Sequence, residues 1–207
     1  METLIELIKK LREESRAGVQ DCRKALEHTD LNYEKALEYL REKVVVLAAG
    51  RSERLAADGV LEVYSHGNGR VGVMVEINTE TDFAGRSATF KAFAHEIALQ
   101  IIASAPRYVR DEDIPAEVIQ AESEKKASTA RNLGKPEALI PRIVEGALNK
   151  FKDENVLLRQ VYIRDDRLSI AQLLSQTIAS VGENIIIRRF VRWELGDGLA
   201  NEPVTEA

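Results

Sequence analysis

An α+β fold follows from three features of the sequence. Val71, Val73, Val75 and Ile77 alternate with smaller or polar residues, and Gly67-Asn68-Gly69 separates this run from a second extended segment. Such a pattern is that of half-buried strands joined in a hairpin. Longer segments carry apolar residues at helical spacing instead. The strands are too few and too unevenly spaced for a doubly wound sheet. The expected architecture is a three-helix N-terminal module followed by an α+β core. That core has a small, mainly antiparallel sheet with helices on one side.

In chain order, Leu4, Ile5, Ile8 and Leu11 form the stripe of a first helix, which Ala17-Gly18 ends. Asp21 to Glu27 gives a second short helix with Cys22, Ala25 and Leu26 inward. Asp30 or Asn32 caps a third, whose Ala36, Leu37 and Leu40 face the others. The apolar run Val44 to Ala49 and the charged Arg51 to Arg54 make a helical connector ending before Asp58-Gly59. This places the helical module at 1–50, a connector at 51–58 and the core at 59–196. A module of this size calls for shared packing or a partner. Strands are expected over Val60 to His66 and Arg70 to Ile77, then a helix from Thr89 to Ala103. Ala116 to Arg131 is a charged helix, and Pro136 suits the first turn of the next. That helix turns Ile140, Ile143, Val144, Ala147, Leu148 and Phe151 inward, and Pro141 makes it kink or begin again. Val156 to Ile163 is expected to be extended, Ile170 to Val181 helical, and Ile185 to Glu194 a strand. The polar tail, 197–207, is expected to be disordered.

With 44% hydrophobic and 30% charged residues, the 207-residue chain has the composition of an ordinary soluble protein. A net charge of -5 argues against direct nucleic-acid binding, which needs a concentrated excess of Lys and Arg. The single cysteine, Cys22, permits no intrachain disulfide and fits a reducing compartment. The apolar runs are too short for a membrane span, and the acidic, amphipathic N-terminus is unlike a targeting peptide. A cytoplasmic location is expected.

Little in the chain assembles an active site. Gly67-Asn68-Gly69-Arg70-Val71-Gly72 matches a dinucleotide-binding pattern literally, but that pattern needs a helix opening inside it. Here period-two alternation follows, so the glycines serve a hairpin turn. His28, His66 and His95 lie far apart without ligand spacing, so no metal and no cofactor is expected. Arg188, Arg189 and Arg192 on a strand are read as partners in ion pairs across a sheet face. The informative stretch is Asn78-Thr79-Glu80-Thr81-Asp82-Phe83, a polar loop ending in a lone aromatic between a strand and a helix. Two readings of it stay open. Phe83 folds back to staple the helix while Asp82 or Thr81 caps it, or the carboxylate and ring are presented for binding. Val181-Gly182-Glu183-Asn184 is read as a helix end, with Gly182 in the left-handed cap and Asn184 starting the strand.

Four separated segments resemble the bacterial translation elongation factor Ts family. They are Ala17-Gly18 with Asp21 to Leu26; His66-Gly67 through Glu76 into Asn78 and Thr81-Asp82-Phe83; Gly134-Lys135-Pro136 with Ile143 to Gly146 and Phe151; and Gly182 to Ile185 with Arg188-Arg189-Phe190. The resemblance covers roughly residues 1 to 196. It implies a ubiquitin-associated-like N-terminal module, a dimerisation-type core, and a guanine-nucleotide exchange factor rather than an enzyme. Its partner would be elongation factor Tu: the factor binds the GDP form, dislodges magnesium and promotes GDP release so that GTP can bind. In the family the aspartate–phenylalanine pair enters that GTPase beside its magnesium site, which corresponds here to Thr81, Asp82, Phe83 and Ala84. Val19, Gln20 and Arg23 would dock on the nucleotide domain, and His66, Val181 and Gly182 correspond to further partner contacts. Each core motif occurs once, as in the short forms, which implies a homodimer and a two-plus-two complex. There are departures: Arg16 where glycine is usual, Val19-Gln20 where a methionine pair is common, and the atypical Pro141. Ala84-Gly85 stands where valine–alanine is usual, and Gly85 would loosen the loop. Two rivals are an enzyme using the glycine-rich hairpin as a nucleotide cradle, and an interaction adaptor with the fold but no exchange activity.

Overall fold

The computed structural model describes residues 3–15 and 17–197. The Arg16 departure and the tail beyond Asp197 lie outside them. The fold is α+β, with three N-terminal helices followed by two small sheets and five further helices among the described residues.

Helices α1 (Leu4–Ser15), α2 (Val19–His28) and α3 (Tyr33–Ala49) form the module. Thr3 and Glu6 exchange backbone and side-chain hydrogen bonds at the head of α1, a capping box. Asn32, rather than Asp30, caps α3 by accepting the Lys35 N–H at 3.1 Å. Asp30 instead sits in the left-handed region with Leu31 and turns the chain. The core joins Leu7 and Leu11 to Cys22, Ala25, Leu26, Ala36 and Leu40. The buried stripe of α1 is therefore Leu7, Leu11 and Ser15, with Ile8 half-buried, while Ile5 is 66% exposed. The stripe drawn through Leu4 and Ile5 was displaced because apolar residues occur on both sides of this helix. The connector is a continuation of α3 as far as Ala49, followed by turns over 50–54.

Two compact units interleave along the chain. The first comprises Met1–Val60, Ile77–Ala94 and Ala171–Ile187; the second comprises Leu61–Glu76, His95–Ile170 and Arg188–Ala207. Strands β1 (Asp58–His66), β2 (Val71–Thr79) and β5 (Ile185–Glu194) make a sheet in the order β1-β2-β5. Gly67, Asn68 and Gly69 all have positive φ, and the Arg70 N–H donates to His66 O at 3.1 Å. The glycines thus build a hairpin that feeds β2, and no helix opens there to receive a phosphate. β5 runs antiparallel to β2: the N–H of Asn184 reaches Glu80, and that of Leu195 donates to Arg70 O at 2.8 Å. Arg188 and Arg189 pair with Glu76, and Arg192 with Glu194, as expected of ion pairs on a sheet.

In the second unit, α6 (Ala116–Asn132) and α7 (Ile140–Asn155) form an antiparallel pair turned at Gly134. Pro141 occupies the first turn of α7, so the helix begins there instead of kinking. Pro136 precedes a separate 3₁₀ turn, Glu137–Leu139. Ile143, expected inward, is exposed, and Val144, Ala147, Leu148 and Phe151 are only half-buried, because two helices cannot enclose each other's full faces. Of the extended segment expected over Val156 to Ile163, Leu157–Arg159 is a 3₁₀ turn and only Val161–Tyr162 (β3) is strand. It pairs with β4 (Asp165–Ser169), a strand that the charged sequence hid.

The short hairpin β3–β4 is held by a side chain of α5 (Ala88–Ser104). Gln100 is fully buried; its Nε2 donates to Gln160 Oε1, Val161 O and Ser104 Oγ, and its Oε1 accepts the Ile163 N–H. Nearby, Glu96 accepts hydrogen bonds from Tyr162 and Arg164. Burial raises the Glu96 pKa, but those bonds outweigh it and leave the group below the usual carboxylate value.

Candidate functional site

β2 ends in residues that face inward rather than into solvent. Asn78 and Thr79 are buried, and the Asn78 carboxamide donates to Asp58 O at 3.1 Å. The polar loop expected over 78–83 is therefore much shorter: Glu80 and Thr81 are its only residues outside regular elements. Thr81 caps α4 (Asp82–Arg86), its hydroxyl accepting the Ala84 N–H at 3.3 Å. This helix was not anticipated, because five residues carry no readable period. Asp82 lies in its first turn, where a carboxylate suits the helix dipole, and pairs with Arg86 at 2.9 Å.

Phe83 is 84% exposed. Of the two readings, capping by Thr81 holds and stapling by Phe83 does not. Ala84 and Gly85 are the buried side of α4. Gly85 packs on Gly59, and a Cβ built on it would stand 3.4 Å from the Gly59 Cα. Gly85 is thus a seated helical residue and not a source of looseness. Gly59 is the stricter position: its φ is +136°, and a Cβ there would meet Ile77 O at 2.1 Å.

The corner is tied down from the other end of the first unit. After α8 (Ile170–Val181), Gly182 takes φ +85° and donates its N–H to Ile178 O at 2.9 Å, the left-handed cap expected of it. Glu183 then accepts three hydrogen bonds, from Thr79 Oγ1 at 3.0 Å, Thr81 N at 3.0 Å and Thr81 Oγ1 at 2.7 Å. Burial pushes its pKa up, but the Thr81 hydroxyl and N–H, with Thr79 and Glu80, pull it below the usual carboxylate value. Reciprocally, Glu80 Oε1 accepts the Asn184 N–H at 2.7 Å and lies 3.5 Å from the Arg54 guanidinium. The Asn184 carboxamide donates to Arg54 O at 2.7 Å and Ser52 O at 3.3 Å. Sequence reading missed Glu80, Glu183 and Asn184 as supports, since their partners lie about a hundred residues away.

The other candidates divide between the units. Val19, 50% exposed, opens α2 with exposed Gln20, and Arg23 is engaged by Glu27 at 2.7 Å. These, with Thr81 to Ala84, half-buried Val181 and exposed Gly182, all belong to the first unit. His66 belongs to the second, exposed at the end of β1 with its ring 6.2 Å from that of Tyr64. His95 is held by Glu62 through Nδ1 at 3.0 Å. No group of three or more His, Cys, Asp or Glu able to hold a metal, and no helix long and apolar enough to cross a membrane, occurs among the described residues.

A large ring held in solvent on a braced corner has the character of a protein-contact surface. The family model described as elongation factor TS matches residues 2–197. The chain is 49% identical over 197 residues to elongation factor Ts of Carboxydothermus hydrogenoformans, spanning 95% of this chain and 91% of that protein. It is likewise 49% identical to elongation factor Ts of Coprothermobacter proteolyticus, over 95% of this chain and all of the other. For that of Geobacter metallireducens the identity is 46%, over 94% and 90% respectively. The chain belongs to the elongation factor Ts family. It is a nucleotide exchange factor for elongation factor Tu, and not an enzyme.

Proposed function

We propose that the Asp82–Phe83 head of α4 is the element that displaces magnesium from elongation factor Tu·GDP. The observation that carries this reading is Phe83, left 84% exposed on a corner held by hydrogen bonds on both flanks. Leaving so large a ring in water forgoes the burial that would stabilise the fold alone. A GTPase holds its nucleotide through backbone amides and a magnesium ion bridging protein and phosphate oxygens. A ring wedged beside that ion shifts its ligands, and the Asp82 carboxylate offers competing polar contacts. Thr81 serves through its backbone and cap, since its hydroxyl is committed to Glu183 and Ala84. Buried Ala84 supports α4 from beneath.

The N-terminal helices, residues 1–50, are the docking module, with Val19, Gln20 and Arg23 meeting the nucleotide domain, joined by 51–58 to a core of 59–196. Val181, Gly182 and His66 add contacts. The factor works in the cytoplasm as a homodimer carrying two GTPases. Support for the dimer is the apolar surface of the second unit: Leu61, Val63, Met74, Val191 and Leu195 are exposed, and Trp193 is 77% exposed. Stopped-flow release of fluorescent GDP from the cognate GTPase tests the reading. Accelerated release that depends on Phe83 supports it; binding without acceleration leaves an adaptor instead.

A further inference from the structure

We propose that Glu183 is a positioning residue for nucleotide exchange, clamping the Thr79–Thr81 corner so that α4 presents Phe83 to the GTPase. The inference rests on Phe83 being the wedge. A helix of five residues is too short to hold itself together, so its pose depends on anchors outside it. Its N-terminal anchor is the Thr81 hydroxyl, which gives its proton to Glu183 Oε1 and accepts the Ala84 N–H. One oxygen atom therefore joins the clamp to the cap. Glu183 Oε2 fixes the same corner twice more, through the Thr81 N–H and the Thr79 hydroxyl. Acceptors that carry charge make the stronger hydrogen bonds. Glu80 and Asn184 form the return stitch, which locates the Glu183 backbone. The Phe83 ring, lying in solvent, is aimed through the backbone this clamp fixes.

A residue that merely stabilised β5 against β2 would lower melting temperature without acting through Phe83. A double-variant cycle on the full chain separates the two, read as GDP release from elongation factor Tu. We expect Phe83→Ala and Glu183→Ala each to slow release, Glu183→Ala by on the order of tenfold, as small misplacements of a working group do. The double variant should be no slower than Phe83→Ala, since both changes remove the same wedge. Release by Glu183→Ala at the unmodified rate overturns the proposal, as does a double variant slowed by the product of the two single factors. Phe83→Ala releasing GDP at the full rate would instead remove the wedge reading itself. Should Glu183→Ala not fold, Glu183→Gln takes its place. Its amide keeps one acceptor but turns an NH2 toward the remaining donor, so the same pattern is expected with a smaller factor.

Discussion

Truncating Phe83 to alanine separates a wedge from a core residue by arithmetic. A phenylalanine side chain offers roughly 200 Å² to bury, and 84% of this one is in water. Folding therefore has little to lose, and an exposed substitution of this kind shifts stability by less than about 0.5 kcal/mol. Binding has much to lose. Removing the ring beyond its Cβ withdraws on the order of 100 Å² of apolar contact, worth about 2–3 kcal/mol at 25 cal/mol per Å². The expected penalty is thus roughly 30- to 150-fold in catalysed GDP release. Thermal denaturation and stopped-flow release on the same preparation give both numbers. A melting temperature lowered by several degrees with exchange per folded molecule unchanged would refute the assignment, because the ring would then be spending its area on the fold.

Other outcomes follow from the same geometry. Gly59→Ala should destabilise by about 2–3 kcal/mol, roughly 5–10 °C in Tm, since its Cβ meets Ile77 O and its φ is left-handed; an unchanged Tm would contradict the packing of β1 on β2. Glu183 has a folded pKa below its ordinary value, so its contribution is complete above that value and is lost as pH falls through the folded one. Glu183→Gln should accordingly flatten the acid limb of stability against pH, and an identical limb would show that the clamp is not ionised. Sedimentation equilibrium should give about twice the 23.1 kDa chain mass, and Trp193→Asp should shift it toward one chain; a monomer exchanging at full rate would remove the dimer. Calorimetric titration of the GTPase should show weaker binding with GDP and magnesium present, because linkage is reciprocal; equal affinities would favour the adaptor.

What the sequence made legible was whatever depends on neighbours along the chain. Long periodic helices, the Gly67–Gly69 hairpin and the Gly182 cap are specified by residues a few positions apart, and each was placed within a turn or so. The same locality explains the misses. β4 is Asp165-Asp166-Arg167-Leu168-Ser169, which reads as surface because its strand character comes from pairing with β3. The second reading of Phe83 needed its exposure, which depends on Gly85 lying against Gly59, twenty-six positions earlier. Thr81 was legible as a cap, whereas Glu183 as the acceptor of its proton was not, for no spacing rule links positions 102 apart.

Gln100 in effect lends α5 a peptide group. Its carboxamide accepts one N–H of the β3 segment and donates to one of its carbonyls, as a neighbouring strand would. Two residues of strand are too few to choose their own register, so an inserted or deleted residue between Gln160 and Ile163 would move the rung away from its socket. The Gln100 bonds reach Gln160, Val161 and Ile163, all on one side of the hairpin. Pairing passes from Val161 with Ser169 to Tyr162 with Asp165, so the register already shifts along β4. Length variation among related chains should therefore gather on the 165–169 side of this hairpin and avoid the 160–163 side, a polarity in tolerated change that one buried amide imposes.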